Sequence, residues 1–386
     1  MTTNTLPPGS AGEGSDGEAA SVGGPQSHEN AVAVAPQWKL VWWGFRRHKL
    51  AVVGLFVTVA IYLVALFAGF LAPYSTEHSD PEYAYAPPQQ LRIDEQGLYV
   101  YGYTSTQDQE TLDLQWSVNE EERIGVRLFA QGEDYTLFGF IDSNIHLIGP
   151  ADPGAGPMYL LGADETGHDM LSRIVHGTVV SMSIGLVGVA VALVLGVLLG
   201  GISGYFGGKI DTVIQRIVEF MMSIPTLPLW LALAAAIPPG WSPIQRYLAI
   251  TVILSIIGWT SLARETRGRF LGLREEEFVA AAKVDGSSQP RIIFRHMLPS
   301  FTSHLIASLS LSVPGMILAE TSLSFLGLGL QEPVVSWGVL LQESQNIRAV
   351  ATAPWMMIPG LAVVVAVLSL NFLGDGLRDA ADPYKN

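Results

Sequence analysis

The chain has 386 residues, of which 49% are hydrophobic and only 15% charged. A soluble domain usually carries about 25% charged residues, so composition excludes an ordinary soluble protein and points to a polytopic membrane protein. Cysteine is absent, which excludes thiol catalysis and any disulfide brace; the net charge of −14 acquires meaning only from its distribution.

Residues 1–37 are rich in Gly, Ser, Pro, Ala and Glu and show no apolar period. That composition predicts a disordered cytoplasmic tail. It lacks the basic start and apolar core of a signal peptide. Residues 38–49 combine Trp42, Trp43 and Phe45 with Lys39, Arg46, Arg47 and Lys49. Aromatics favour the headgroup level and cations the anionic leaflet, so an interfacial helix is expected. Residues 50–72 hold no Asp, Glu, Lys or Arg. About 20 residues at 1.5 Å each cross a hydrocarbon core of roughly 30 Å, so this is a first span, ended by Pro73.

Residues 73–177 carry 18 acids and 4 Lys or Arg. Short β-rich runs at 98–103, 112–118, 124–130, 135–141 and 145–149 are punctuated by Gly, Asp, Asn and Gln. Aromatic and branched residues are too frequent for disorder. A small β-rich, acidic, extracytoplasmic module is therefore expected over 73–160. Its acids read as a solvated surface, with anion repulsion or a basic partner as the alternative. Asp164, Glu165, His168 and Asp169 follow it. One His among carboxylates lacks the ligand count of a zinc site and the spacing of a calcium loop, so no metal site is expected.

The second span is expected over 179–205, with Gly196, Gly200 and Gly204 forming a bare stripe for a neighbouring helix. A tight turn at 206–211 follows. The third span, 217–237, carries Glu219 near one end and is interrupted by Pro225 and Pro228. Internal prolines bend a helix, as a gate or as a static kink. After a turn at 238–240, the fourth span runs over 247–263, and Arg264, Arg267, Arg269 and Arg274 follow it. The fifth, 301–325, contains Pro314 and Glu320. An acid at mid-membrane costs about 2.5–3.5 kcal/mol on insertion scales and is usually functional; near the outer mouth, Glu320 reads equally as a solvated packing residue. Residues 327–353 read as an external re-entrant or amphipathic segment, 350–374 as the sixth span and 375–386 as a tail.

Lys and Arg fix the expected orientation. Four precede the first span, two follow the second and seven lie in 264–295, whereas the short segments on the other side hold only Arg246 and Arg348. Both termini and the 264–300 loop are expected in the cytoplasm.

Within that loop, residues 277–300 read EFVAAAKVDGSSQPRIIFRHMLPS. Three glutamates, Glu275 to Glu277, precede Ala280, Ala281 and Ala282, which suits a helix start and its dipole. Gly286 ends or turns the helix. A second helical run is expected over 291–297, closed by Pro299. The product is a short knob with a small Ala face. It resembles the coupling loop of ABC importer permeases, whose pattern is Glu-Ala-Ala, three residues, Gly, nine residues, then Ile-x-Leu-Pro. Ala281, Ala282, Gly286, Leu298 and Pro299 fall on that pattern, while Ala280 stands in place of Glu and His296 in place of Ile. Glu277, one turn earlier, is positioned to supply the missing carboxylate. Residues 161–173, 206–211, 319–329 and 371–379 further resemble the oligopeptide/dipeptide permease group, with Ala163 in place of Thr and His168 in place of Arg in the first of them.

The resemblance covers residues 161–386 closely and the first span loosely. It implies an all-α membrane protein with six transmembrane helices of the type I importer permease kind. A β-rich insertion between helices 1 and 2 is added to that core. It implies a prokaryotic inner-membrane location and half of a transmembrane pathway, most directly for di- or oligopeptides, alternatively for oligosaccharides or metal chelates. The partners implied are a second homologous permease, two ATPase subunits that hold ATP and Mg, and an extracytoplasmic binding protein. The lipid bilayer is a further partner and nucleic acid is not. The chain lacks the G-x-x-x-x-G-K-[ST] phosphate loop, so no cofactor and no enzymatic activity are expected of it. Glu277, Ala280, Ala281, Ala282, Gly286, Arg291, Leu298 and Pro299 are the implied ATPase-coupling residues, and Pro225 and Pro228 a possible gate. The rival class, a secondary transporter or channel, predicts ionisable residues at mid-membrane. The first, second, fourth and sixth spans have no Asp, Glu, Lys or Arg.

Overall fold

The computed structural model describes residues 37–107, 114–152 and 154–381. Of the tail expected over 1–37, residues 1–36 lie outside them, and Gln37 already begins the first helix. Helix α1 (Gln37–Arg47) places Trp42 and Trp43 on the exposed side and buries Phe45. His48 then caps α2 (Lys49–Leu66), accepting from the Ala51 amide. A break at Phe67 separates α2 from the one-turn α3 (Ala68–Leu71).

The insertion is a four-stranded antiparallel meander: β1 (Arg92–Asp94), β2 (Gly97–Gln107), β3 (Leu114–Leu137) and β4 (Ile141–Pro150). Residues 114–118 of one expected run and the whole run at 124–130 belong to one 24-residue strand. Its first half pairs with β2 and its second with β4. Glu120, Glu121 and Glu122, which lie between those two runs, sit where the β2–β3 register shifts beside Tyr101 and Gly102, as a bulge does.

Three long helices build the core: α4 (Met170–Phe206), α7 (Pro243–Leu273) and α9 (Thr302–Phe325). At 37 residues, α4 is about 55 Å long, far more than the roughly 30 Å of a hydrocarbon core, so its ends project. The glycine stripe of α4 is where α7 crosses. A Cβ at Gly196 would meet Leu262, at Gly200 the Ala263 carbonyl at 2.4 Å, and at Gly204 the Arg267 carbonyl at 2.7 Å. Backbone is therefore pressed on backbone, as small-residue stripes allow. Asp211 clamps the same crossing, pairing with Arg267 and accepting from Ser203.

The third span is not one kinked helix. Helices α5 (Gly208–Ser223) and α6 (Thr226–Ala235) meet at 85°. Ile224, preceding a proline, is held extended, and Pro225 heads the new helix. Pro228 lies in the first turn of α6, where its missing N–H is an unpaired position anyway; it breaks nothing. Among the described residues, five helices are long and apolar enough to cross a membrane, and there are six spans if the bent pair counts as one. Beyond α9 come α10 (Trp337–Glu343), α11 (Ile347–Thr352) and, after a 3-10 turn at Pro354–Met357, α12 (Ile358–Ala381).

Candidate coupling surface and its outer counterpart

Helix α8 (Glu277–Val284) is the knob of the sequence reading. It has two distinct faces. Val279 and Ala282, one turn apart, are buried in a cluster with Tyr205 of α4, Phe270 of α7, Ile292, Met297 and Phe301. Glu277, Ala280, Ala281 and Val284 share the opposite, exposed face, and Val284 is 88% exposed. The two alanines of the motif therefore do different jobs. Ala282 is small because it packs inward; Ala281 is small on an exposed surface.

Gly286 terminates α8 at φ +74°. The Ser287 amide donates to the Ala282 carbonyl and the Gly286 amide to that of Lys283, the paired bonds of a Schellman cap. A Cβ at Gly286 would meet open space, so the requirement for glycine is the backbone angle and not a close approach. Lys283 lies 5.8 Å from the centre of the Tyr205 ring, tying α8 to the end of α4.

The return from the knob differs from the expected short helix closed by Pro299. Helical geometry starts at Gln289, widens to a π turn over Ile292–Met297 and passes through Pro299 to Ser300. Leu298 N–H donates five residues back, to Ile293. Pro299 has no N–H, and its ring would collide with the residue-295 carbonyl in a regular α turn; the wider turn relieves both demands. Arg291 and Pro299 are exposed and Leu298 is half-buried. Ile292, Ile293 and Met297 face inward.

The other end of α4 is held by charge. Asp169 caps the helix, accepting from the Ser172 amide at 2.8 Å and its hydroxyl at 2.6 Å. Arg173, almost wholly buried, meets three carboxylates. It donates to both oxygens of Glu343 at 2.7 and 2.9 Å, to Glu332 at 2.8 Å and to Asp164. Asp164 also accepts from Thr166 and from the His168 amide. Asp164, Asp169 and the neighbouring His168 are thereby occupied with capping and ion pairing.

Burial disfavours the charged form of Asp164, but hydrogen bonds from His168 and the charge on Arg173 outweigh it and hold this carboxyl below the usual range. Burial wins at Glu343, pushing it up to about 7 although Arg173 pulls the other way. Burial also lifts Asp169, to about 6, against the hydrogen bonds from Ser172. One guanidinium cannot keep every neighbouring buried carboxyl ionised at neutral pH.

Glu320 is fully buried, which removes the solvated reading of this residue. Ser336 donates to it at 2.7 Å, Ser324 at 2.9 Å and Ser181 at 3.4 Å. Ser181 in turn accepts from the Trp337 amide at 3.1 Å. The carboxyl thus pins α10 and the segment before it to both α4 and α9. Neither this network nor the partners of Arg173 was identified from the sequence. The available signal was an arginine at the head of an apolar run, which demands a buried partner.

Two family descriptions match the chain. Residues 196–385 match the binding-protein-dependent transport system inner membrane component, and residues 36–88 the N-terminal transmembrane domain of oligopeptide transport permease C. The chain is 30% identical over 360 residues to the dipeptide transport system permease protein DppC of Alkalihalophilus pseudofirmus, covering 93% of each. It is 36% identical over 247 residues to the oligopeptide transport system permease protein OppC of Haemophilus influenzae, covering 64% of this chain and 76% of that one. Against the di/tripeptide transport system permease protein DppC of Pseudomonas aeruginosa the identity is 29% over 361 residues, with 93% and 96% covered.

Proposed function

The chain belongs to the family of inner-membrane permease components of binding-protein-dependent transport systems, and from that membership we propose that it forms half of the pathway of an ATP-driven importer of di- or oligopeptides. It is a multi-pass membrane permease subunit, and ATP hydrolysis belongs to separate subunits of such machines. The relatives named for dipeptides, oligopeptides and di/tripeptides support peptides over oligosaccharides or metal chelates. A second permease would complete the pathway, two ATPases would sit on the cytoplasmic side and a binding protein would deliver substrate outside. The Lys and Arg distribution supports cytoplasmic termini and a cytoplasmic α8.

The observation that carries this reading is the two-faced α8. Its exposed face, with Glu277, Ala280, Ala281 and Val284, is free for an ATPase to grip. Its buried face is rooted in a cluster contributed by α4, α7 and the start of α9. A displacement of α8 is therefore transmitted to three membrane helices. ATP drives the change only by binding the two states of the assembly with different affinity. Arg291 and the exposed edge around Leu298 and Pro299 would flank the grip. The 85° break at Pro225 supports a hinge in the same motion. Pro225→Ala, which favours one straighter helix, should lower uptake at normal expression, and unchanged uptake would remove the hinge.

The test is recovery of the tagged chain from mild detergent, followed by ATP-dependent uptake in proteoliposomes. Recovery with a second permease and two ATPases, and uptake of labelled peptide but not oligosaccharide or chelate, is the expected result. Recovery as a homo-oligomer alone, under conditions that preserve other importers, would favour a channel or secondary transporter.

A further inference from the structure

The β3–β4 hairpin carries an apolar surface that neither transport nor coupling accounts for. Its tip, Leu137–Phe138–Gly139–Phe140–Ile141, turns with positive φ at Phe138 and Gly139, +56° and +77°, and the Phe140 amide donates to the Leu137 carbonyl at 3.3 Å. Hairpin turns with two positive-φ residues prefer Asn-Gly, since a bulky side chain is strained there. Phenylalanine occupies the strained position instead. Phe129 on β3 is a second Phe in the left-handed region, at φ +55°. Phe140 is 76% exposed, and Leu128, Phe129, Phe138, Ile141 and Ile145 are exposed beside it.

The location of this patch identifies what covers it. Phe138 packs edge-on against Phe67, with ring centres 5.6 Å apart, and Phe129 against Phe70 at 6.1 Å. Phe67 and Phe70 close the first span, and at 1.5 Å per residue they lie about 27–32 Å along it from Lys49. That distance is the thickness of the hydrocarbon core, roughly 30 Å. The hairpin is also fixed at this level: a Cβ on Gly69 would meet the Tyr135 ring at 2.5 Å. The patch continues the exposed apolar surface of Leu63 and Leu66 on α2. Asp134 and Asp142 on the same hairpin are exposed and would remain among headgroups and water.

We propose that the β3–β4 hairpin is a membrane-interface anchor, with Phe129, Phe138 and Phe140 seated in the headgroup–acyl boundary of the leaflet at the Phe70 end of the first span. Aromatic side chains favour that zone, and the acidic remainder of the insertion is thereby held at a fixed height over the bilayer. The insertion is then a platform tied to the lipid surface and not a freely tumbling lid.

Because the chain contains no cysteine, Phe140→Cys carries a single nitroxide label. Val118→Cys, on an exposed position of the half of β3 that pairs with β2, serves as the aqueous reference. The labelled full-length chains are compared in nanodiscs of phosphatidylethanolamine and phosphatidylglycerol by collision with oxygen and with a water-soluble nickel chelate. The expected result is a ratio of oxygen to nickel accessibility several-fold higher at position 140 than at 118. Equal ratios would overturn the anchor. So would a position-140 label that is water-accessible in the nanodisc and protected only when an extracytoplasmic binding protein is added, since the occupant would then be a protein. This readout needs only the chain and a bilayer, so its failure leaves the importer assignment untouched.

Discussion

The two ends of α4 differ in what dominates, helix packing at one and buried charge at the other, although Asp211 and Arg267 also pair at the first. At its Tyr205 end, glycines let α7 press backbone on backbone, and an apolar cluster roots a short helix whose far face is bare. At its Met170 end, Arg173, Asp164 and Glu343 are buried together, and Glu320 is held by three serines. Apolar burial is non-directional and tolerates small sliding, which would suit the lever motion proposed for α8. Hydrogen-bonded ions demand fixed geometry and are costly to separate, which suits an end that holds the segment of Glu332 and Glu343 in place. One helix thus joins an end dominated by packing to an end dominated by buried charge.

The largest effect should come from breaking the rigid end. Arg173→Met leaves buried carboxylates uncompensated, and removing one partner of such a set costs about 3–5 kcal/mol. Thermal unfolding in detergent should show a large drop in Tm, partly recovered by adding Glu343→Gln; an unchanged Tm would mean the network contributes nothing. Overpacking the sliding end should come next. In Gly200→Val the new side chain is driven into the Ala263 carbonyl, and a strain of about 1–3 kcal/mol is expected. Reduced recovery of monodisperse protein is the readout, and normal recovery would deny the tight crossing.

A smaller effect separates the ends by pH. The folded state raises Glu343 from its usual 4.5 to about 7, so it binds this proton more tightly than the unfolded chain does. Its contribution is complete below about pH 4.5 and lost as pH rises through about 7. Asp169 acts in the same sense, up to about 6. Asp164 has the opposite sign, and its contribution fades only in strong acid. Tm should therefore rise as pH is lowered from 8 to 5, and Glu343→Gln should flatten most of that slope. A slope unaltered by this substitution would assign the effect elsewhere.

Much of this was legible in the sequence, unevenly. The spacing from Ala281 to Pro299 marked the knob, because a helix, a positive-φ glycine and a proline leave local signals. Which alanine faces inward was not legible, since Ala281 and Ala282 are chemically alike and only the partner cluster distinguishes them. The β-rich runs were visible by composition, but the polar residues 119–123 between two of them did not show that both belong to one bulged strand. Proline marked a bend near 225 without giving its angle. The outer network was hidden because Arg173 finds Glu332 and Glu343 159 and 170 residues away, and no local periodicity reports such a pairing. Glu320 read equally as solvated or functional from its place near a span end, because its serine partners show their role only once assembled.

Helix α8 separates a buried packing face from an exposed face that the proposed ATPase partner would grip. Val284→Asp in the assembled transporter tests this central claim most directly, with Tm, ATPase recovery and peptide uptake measured on one preparation. Val284 is exposed, so Tm should stay within about 0.5 kcal/mol of the parent's stability. ATPase recovery and uptake should fall together. Normal uptake with the ATPases still bound would contradict the claim, as would a Tm loss as large as that of Val279→Ala on the buried face.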